Sequence, residues 1–557
     1  MSARARRGST IGCAFLAACG AEAPAPVPHE APAAPWFEEA ARASGLVFEH
    51  HSGHEERYLM PEIMGGGAAL FDADGDGDLD AYLVQSGSLA PDAPGDPSRL
   101  LANDGAGHFT DVTAERGAAG EGYGMGVACG DVDDDGDTDL YVTRVGPNAL
   151  FRNESGRFRD ATASSGTGDD RWGTSAAFFD LDRDGKLDLF VANYLLWSPS
   201  SEIGCMDALS RPDYCSPKNY QAPAPAVLYV NRGDGRFEDQ SDPSGIGAKA
   251  GTGLGVVVAD FDADGGADVF VANDGMPNHL WRNRRDGTFA EEALALGCAT
   301  DTNGLPKAGM GVAVADLDLD LDPDLLVCNL AGESDSYYEN RGATFVDRTP
   351  SVGLGLASKP FTRFGMGLID FDQDGALDLY QANGRVQRAT GAARADPYAE
   401  ENLLLRGDGR GGFLELFPRG GSATREVATS RAAAFGDVNG DGTIDILVVN
   451  RDAPATLLLN RAARAENHGV LFAVRERSGR DALGATLFIR VGERTYQRDV
   501  RAAYSYLASN DPRVHLGLGA HAVVTEVRVR WADGPEERFG PFPADRVHVL
   551  SRGTGRP

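Results

Sequence analysis

The nine residues Asp72-Ala73-Asp74-Gly75-Asp76-Gly77-Asp78-Leu79-Asp80 place five carboxylates in one short stretch, directly after the apolar run Ala68-Ala69-Leu70-Phe71. Carboxylates this close repel one another by roughly 1 to 4 kcal/mol per pair. A chain that folds such a stretch tightly therefore needs a cation inside it. The pattern D-x-D/N-x-D-x-x-x-D recurs at Asp131, Asp180, Asp260, Asp316, Asp370 and Asp437, making seven copies at intervals of 59, 49, 80, 56, 54 and 67 residues. Each copy follows a small-residue apolar run such as GMGVACG (124–130) and precedes another such as LDLFVAN (187–193). Five copies continue into an Asn/Gly turn: NDGAGHF (103–109), NESGRF (153–158), NRGDGRF (231–237), NRRDGTF (283–289) and NRGATF (340–345). The unit reads strand, acidic loop, strand, strand, turn, strand. Seven units of four strands predict a seven-bladed β-propeller over residues 36–463.

The seventh unit runs on after Leu457-Leu458-Leu459-Asn460 without its Gly-x-Phe strand. Trp36-Phe37-Glu38-Glu39, with Gly45-Leu46 after it, matches Phe237-Glu238-Asp239 with Gly245-Ile246 and Phe345-Val346-Asp347 with Gly353-Leu354. Residues 36–48 are therefore predicted to supply the missing outer strand and close the circle.

The loop chemistry points to Ca2+, which takes six to eight oxygen ligands in flexible geometry. Loop positions 1, 3, 5 and 9 supply side chains, and position 7 a backbone carbonyl. The candidate ligands are Asp72, Asp74, Asp76 and Asp80; Asp131, Asp133, Asp135 and Asp139; Asp180, Asp182, Asp184 and Asp188; Asp260, Asp262, Asp264 and Asp268; Asp316, Asp318, Asp320 and Asp324; Asp370, Asp372, Asp374 and Asp378; and Asp437, Asn439, Asp441 and Asp445. Position 6 must turn sharply, and glycine fills it in six copies; the fifth has Leu321 there and Pro323 two residues on, so it fits calcium worst. An EF-hand is excluded, because the flanks are β-branched and position 12 is apolar (Leu83, Val142, Val191, Val271) rather than Glu. Seven divalent ions would bring the net charge from −31 to −17. That acidity argues against a nucleic-acid partner.

Residues 1–18, with Arg4, Arg6, Arg7 and the apolar run from Ile11 to Ala18, read as an export signal. Leu16-Ala17-Ala18-Cys19 resembles a bacterial lipobox, which implies acylation of Cys19 and a membrane held through that lipid alone. A plain secretory signal with an incidental cysteine is the competing reading. The Pro/Ala-rich residues 19–35 form a tether. Cys205 and Cys215, on an aromatic excursion with Trp197, Tyr214 and Tyr220, are expected to form a disulfide in an exported chain. This excursion is expected on the face opposite the acidic loops, with residues 384–400 beside it. Cys298 and Cys328 are candidates for a second bridge, and Cys129 for burial. His50, His51 and His54 read as a polar strand end before a metal site, and Arg232-Gly233-Asp234 as an ordinary turn.

The acidic loops resemble the FG-GAP repeats of integrin α-subunit propellers. The whole chain from Phe48 to Leu550 resembles the cartilage acidic protein type, through PEIMGGGAALFDADGDGDLD (61–80), VANDGMPNHLWRN (271–283) and AGMGVAVADLD (308–318). SYLASNDPRVHLGLG (505–519) and VRVRWADG (527–534) match the ASPIC/UnbV signature. The alternation in LFIRV, VRVRW and VHVL predicts a small β-sandwich over residues 466–552. The resemblance implies an extracellular or cell-envelope location, calcium binding and a role in contacts with a protein or glycan. No G-x-S-x-G elbow or H-E-x-x-H helix is present, so no enzyme is expected. The alternative is a carbohydrate-active enzyme like the polysaccharide lyases, which needs a groove of Lys, Arg, His or Tyr beside a carboxylate; a lectin-like site around Trp197 is a third reading.

Overall fold

The computed structural model describes residues 34–90, 96–342, 344–389, 395–462 and 466–557. The export signal and Cys19 lie outside the described residues. Among the described residues strands make up 41% and helices 7%.

The acidic repeats fold into seven four-stranded antiparallel sheets, each meandering outward from its first strand. In the second sheet, for example, Tyr123–Gly130 pairs with Asp139–Val145, which pairs with Ala149–Asn153, which pairs with Phe158–Asp160. The inner strands adjoin in a closed circuit, from Ala68–Phe71 through the other six to Ser430–Gly436 and back. Their small residues follow from crowding at the axis. A Cβ at Gly311 would meet Phe364 O of the next sheet, and one at Gly365 would meet the backbone of Ala433. The outer strand of the seventh sheet is the amino-terminal Phe37–Glu39, paired with Thr456–Asn460. One sheet thus joins both ends of the repeat region.

Beyond residue 466, His468–Arg475 pairs with Val514–Gly519 and in parallel with Val547–Ser551, forming a three-stranded sheet. A second sheet orders Arg494–Asp499, Thr486–Val491, Glu526–Arg530 and Glu536–Phe539. Phe472, Leu487, Ile489, Val529 and Trp531 from the two sheets share one apolar cluster, which continues into Tyr141 and Phe178 of the second and third propeller sheets. The carboxy-terminal region therefore has no independent core boundary.

Residues 503–511 leave these sheets and enter the propeller axis. Ala508–Ser509 adds in parallel to Ala68–Ala69. Ser505 exchanges backbone hydrogen bonds with Val312, at 2.8 and 3.1 Å. Its hydroxyl accepts from Met366 N and donates to Ala433 O. Leu507 N donates to Ser175 Oγ, Cys129 N to Ser509 Oγ, and Phe435 N to Asn510 Oδ1. The inner strands are sheet edges with unpaired N–H and C=O groups, which this segment satisfies. Ser505 and Leu507 adopt left-handed backbone (φ 81° and 54°) to do so.

The opposite mouth is closed by three loops. The excursion of the third sheet is tied by the Cys205–Cys215 disulfide, with Cα atoms 5.3 Å apart. Asp213 on it accepts from Arg388 N and Tyr398 Oη of the sixth-sheet excursion. Tyr214 reaches Glu62 and His54 of the segment leading into the first sheet. One apolar cluster runs the length of the axis, from Leu507 and Tyr506 through Met64, Met125, Met310 and Phe364 to Tyr214 and Tyr398.

Candidate metal centres

All seven acidic loops have one backbone form. The carboxylate at position 1 accepts the N–H of position 6, from Gly77 to Asp72 at 3.0 Å and likewise for Asp131, Asp180, Asp260, Asp370 and Asp437. Leu321 donates to Asp316 in the same way, at 3.1 Å. Position 6 has positive φ in every loop, including 75° at Leu321. Position 4 does too, although its residues are Gly75, Asp134, Arg183, Ala263, Leu319, Gln373 and Gly440. Non-glycine residues in this region cost about 1 to 2 kcal/mol each, so the loop shape overrides local preference.

The aspartate at position 9 is a buried clamp. Asp139 Oδ2 accepts from Val132 N of its own loop, and Oδ1 from Asn153 N of the third strand. Asp80, Asp188, Asp268, Asp324 and Asp445 repeat both bonds, with Asn103, Asn231, Asn283, Asn340 and Asn460. These asparagines then bridge sheets. Their Nδ2 donates to the position-2 carbonyl of the preceding loop: Asn153 to Ala73 O, Asn231 to Val132 O, Asn283 to Leu181 O, Asn340 to Phe261 O, Asn460 to Phe371 O and Asn103 to Val438 O. Gly407 breaks the series in the sixth sheet, where a Cβ would meet Leu377 O.

The donor atoms converge. One oxygen from each of Asp72, Asp74 and Asp80 lies within 4.8 Å of the other two, as for Asp131, Asp133 and Asp139, for Asp180, Asp182 and Asp188, for Asp260, Asp262 and Asp264, and for Asp316, Asp318 and Asp320. The position-5 aspartates Asp76, Asp135, Asp184, Asp320, Asp374 and Asp441 turn one oxygen to the position-7 N–H. In the seventh loop Asn439 Oδ1 accepts from Asp441 N. Burial raises the carboxyls: Asp139, Asp268, Asp324 and Asp370 are pushed up to about 8, and Asp80 and Asp188 to about 7. Asp74 Oδ1, Asp133 Oδ1, Asp180 Oδ1 and Asp260 Oδ1 are buried without a hydrogen-bond partner. Oxygen-only donors with orphaned buried acceptors fit a hard divalent cation such as Ca2+.

The carboxy-terminal sheets rest on this face. Arg480 donates to Gly185 O and pairs with Asp134 at 2.9 Å. Arg513 donates to Asp437 O, Arg530 lies 3.4 Å from Asp260, and Gly519 N donates to Gln373 O. The sequence reading missed these arginines, the position-4 turn, the bridging asparagines and the axial segment. The asparagines were visible in the quoted turns (Asn103, Asn153, Asn231, Asn283, Asn340), where each repeats at the end of the third strand.

On the opposite face, the histidines do not converge on one point. His50 Nε2 meets Ser86 Oγ, His51 Nδ1 meets Asp96 and His54 Nδ1 meets Glu62. Cys129, Cys298 and Cys328 are buried free thiols, so Cys298 and Cys328 form no bridge. Arg232 pairs with Glu238 in the turn it shares with Asp234.

A family model described as FG-GAP-like repeat matches residues 72–142, 131–191, 210–271 and 260–327, and one described as ASPIC and UnbV matches residues 475–557. Human cartilage acidic protein 1 is 26% identical over 313 residues, covering 56% of this chain and 45% of that protein. Its mouse counterpart is 25% identical over the same length. The chain thus spans under half the length of these relatives. Among solved structures, an Agrocybe aegerita lectin that recognises non-reducing terminal N-acetylglucosamine is 16% identical, covering 64% of this chain and 82% of that one, with a TM-score of 0.40. Rhamnogalacturonan lyase YesW is 16% identical, covering 71% of each chain, with a TM-score of 0.38.

Proposed function

From a chain that carries FG-GAP-like repeats and an ASPIC/UnbV domain, and is homologous to cartilage acidic protein 1 over about half its length, we propose that it is an exported, calcium-loaded binding protein of the cell envelope. It contacts a protein or glycan through the propeller face opposite the acidic loops, and a lipid on Cys19 holds it to the membrane. The observation that carries this reading is the filled axis. Tyr506 Oη donates to Met64 O, and an apolar cluster packs along the axis above it. Contacts then fall to the outer face, where the disulfide-tied excursion exposes 65% of Met206 and 63% of Leu209. A rigid apolar hairpin loses little entropy on binding.

Calcium, when bound, supplies positive charge that neutralises the crowded carboxylates. The chain's own residues do the rest: position 1 orients the turn, position 9 ties loop to third strand, and the asparagines lock each sheet to the one before. Elemental analysis of the purified chain, with glycan-array binding and crosslinking of the native surface protein, tests the reading. Bound calcium plus a captured ligand supports it; a metal-free chain, or a ligand that still binds after Met206 and Leu209 are replaced by serine, counts against it.

One observation favours the competing enzyme reading. His54, Tyr58, Tyr214 and Arg388 gather beside Glu62 on the same face. Turnover of acidic polysaccharides, lost in a Tyr58→Phe variant, would decide for it.

A further inference from the structure

The seven loops are backbone copies, but one side chain above them is not. The residue just before the bridging asparagine (or Gly407) on the third strand is Ala102, Arg152, Val230, Arg282, Glu339, Arg406 and Leu459 in turn. Arg152 pairs with Asp133, Arg282 with Asp262, and Arg406 with Asp372 at 2.7 Å. Each partner occupies loop position 3. The second, fourth and sixth loops thus carry a guanidinium against the same ligand carboxylate. In the first loop Asp74 pairs with Arg116, from the short helix Thr113–Arg116, at 2.8 Å. In the third loop the basic partner sits elsewhere, Lys186 pairing with the position-5 carboxylate of Asp184, and in the fifth no Lys or Arg forms an ion pair with Asp316, Asp318, Asp320 or Asp324 among the described residues. The fifth instead has Glu339 at the variable position, held by Arg341 and Arg348 at 2.7 and 2.6 Å.

We propose that this strand position grades the loops for divalent cations, so that the fifth loop binds tightly and the second, fourth and sixth bind weakly. The proposal rests on the reading that the loops take such cations. The orphaned oxygen Asp133 Oδ1 supplies the independent sign of a missing cation in a guarded loop, and Asp180 Oδ1 the same sign in the third. A cation entering a guarded loop meets a fixed positive charge and must share or displace it from the third carboxylate. An entering cation in the fifth loop meets no guanidinium on its ligand carboxylates, since Arg341 and Arg348 are held on Glu339 instead. Ligand charge count moves calcium affinity through decades in such loops, and one full charge a few Å away accounts for roughly ten- to a hundredfold. The order runs against the sequence at the fifth loop, whose Leu321 already adopts the turn that glycine makes elsewhere.

Calcium titration of the full chain by calorimetry, with stoichiometry from equilibrium dialysis, tests the grading. Two affinity classes separated by at least tenfold are expected. The Arg152→Leu, Arg282→Leu, Arg406→Leu triple variant should move its three sites into the tight class, and Glu339→Arg should remove one tight site. Leucine is the native residue at this position in the seventh sheet, so folding is retained, and circular dichroism checks it. Arg282→Lys keeps the charge and should leave that site weak, which a merely structural role would not predict. A single affinity class, or a triple variant with the wild-type titration, overturns the grading while leaving calcium binding intact. No bound calcium at millimolar concentration overturns the cation reading and the grading together.

Discussion

Asn283 illustrates how a single side chain serves two sheets. Its backbone N–H closes on Asp268, and its amide donates to Leu181 O across the sheet boundary, with only 3% of the residue exposed. Replacing it with alanine strands a buried carbonyl, which costs about 1 to 3 kcal/mol; Asn283→Ala should lower the urea midpoint accordingly in calcium-saturated protein. The buried aspartates give a second residue-scale expectation. In the metal-free chain Asp139, Asp268 and Asp324 hold protons up to about pH 8 in the folded state, because burial disfavours the carboxylate. The unfolded chain releases them near pH 4. Between those values the native state binds more protons, so stability falls as pH rises. Thermal melts of chelated protein should therefore drop from pH 5 to pH 8, and saturating calcium should remove that slope, since cation and proton compete for the same oxygens.

Among elements, the axial segment 503–511 is the least expected. Its polar atoms pair with six inner strands, while Tyr506 and Leu507 are fully buried. Tyr506→Ala deletes a buried ring and strands Met64 O, for a loss of about 3 to 5 kcal/mol. Calorimetry should show a lowered transition for the whole molecule, because the segment touches nearly every sheet. A melt in which only a small carboxy-terminal transition shifts would contradict that coupling. The SYLASND part of the carboxy-terminal signature thereby gains a physical role. Left-handed Ser505 and Leu507 turn the backbone so that N–H and C=O groups reach edges on opposite sides of the axis.

At the scale of the molecule, the seven loops gather 31 of the 83 acidic residues on one face, and that face is covered by sheets that reach it with arginines. Cations and arginines together balance charge there, so chelation should loosen both partners. Addition of a strong chelator at pH 7.5 should lower the unfolding midpoint by several degrees and expose residues 466–552 to protease; an unchanged midpoint in protein that had contained calcium would refute this. Much of the architecture was legible in advance. The loop period, the Asn/Gly turns and the displaced strand at Phe37 are local patterns, each carried by contiguous residues. The lid of the opposite mouth was half legible, since both excursions showed as insertions but not that Asp213 would bridge them.

The sequence by itself determined the all-β class, the repeat of acidic loops and the oxygen chemistry they offer, because carboxylate spacing and strand alternation are properties of neighbours in the chain. Only the tertiary structure decided that the axis is filled, that asparagines stitch one loop to the preceding one, and which loops carry an arginine. Those contacts join residues up to hundreds of positions apart, Tyr506 to Met64 among them, and close packing around a ring, rather than local preference, selects them.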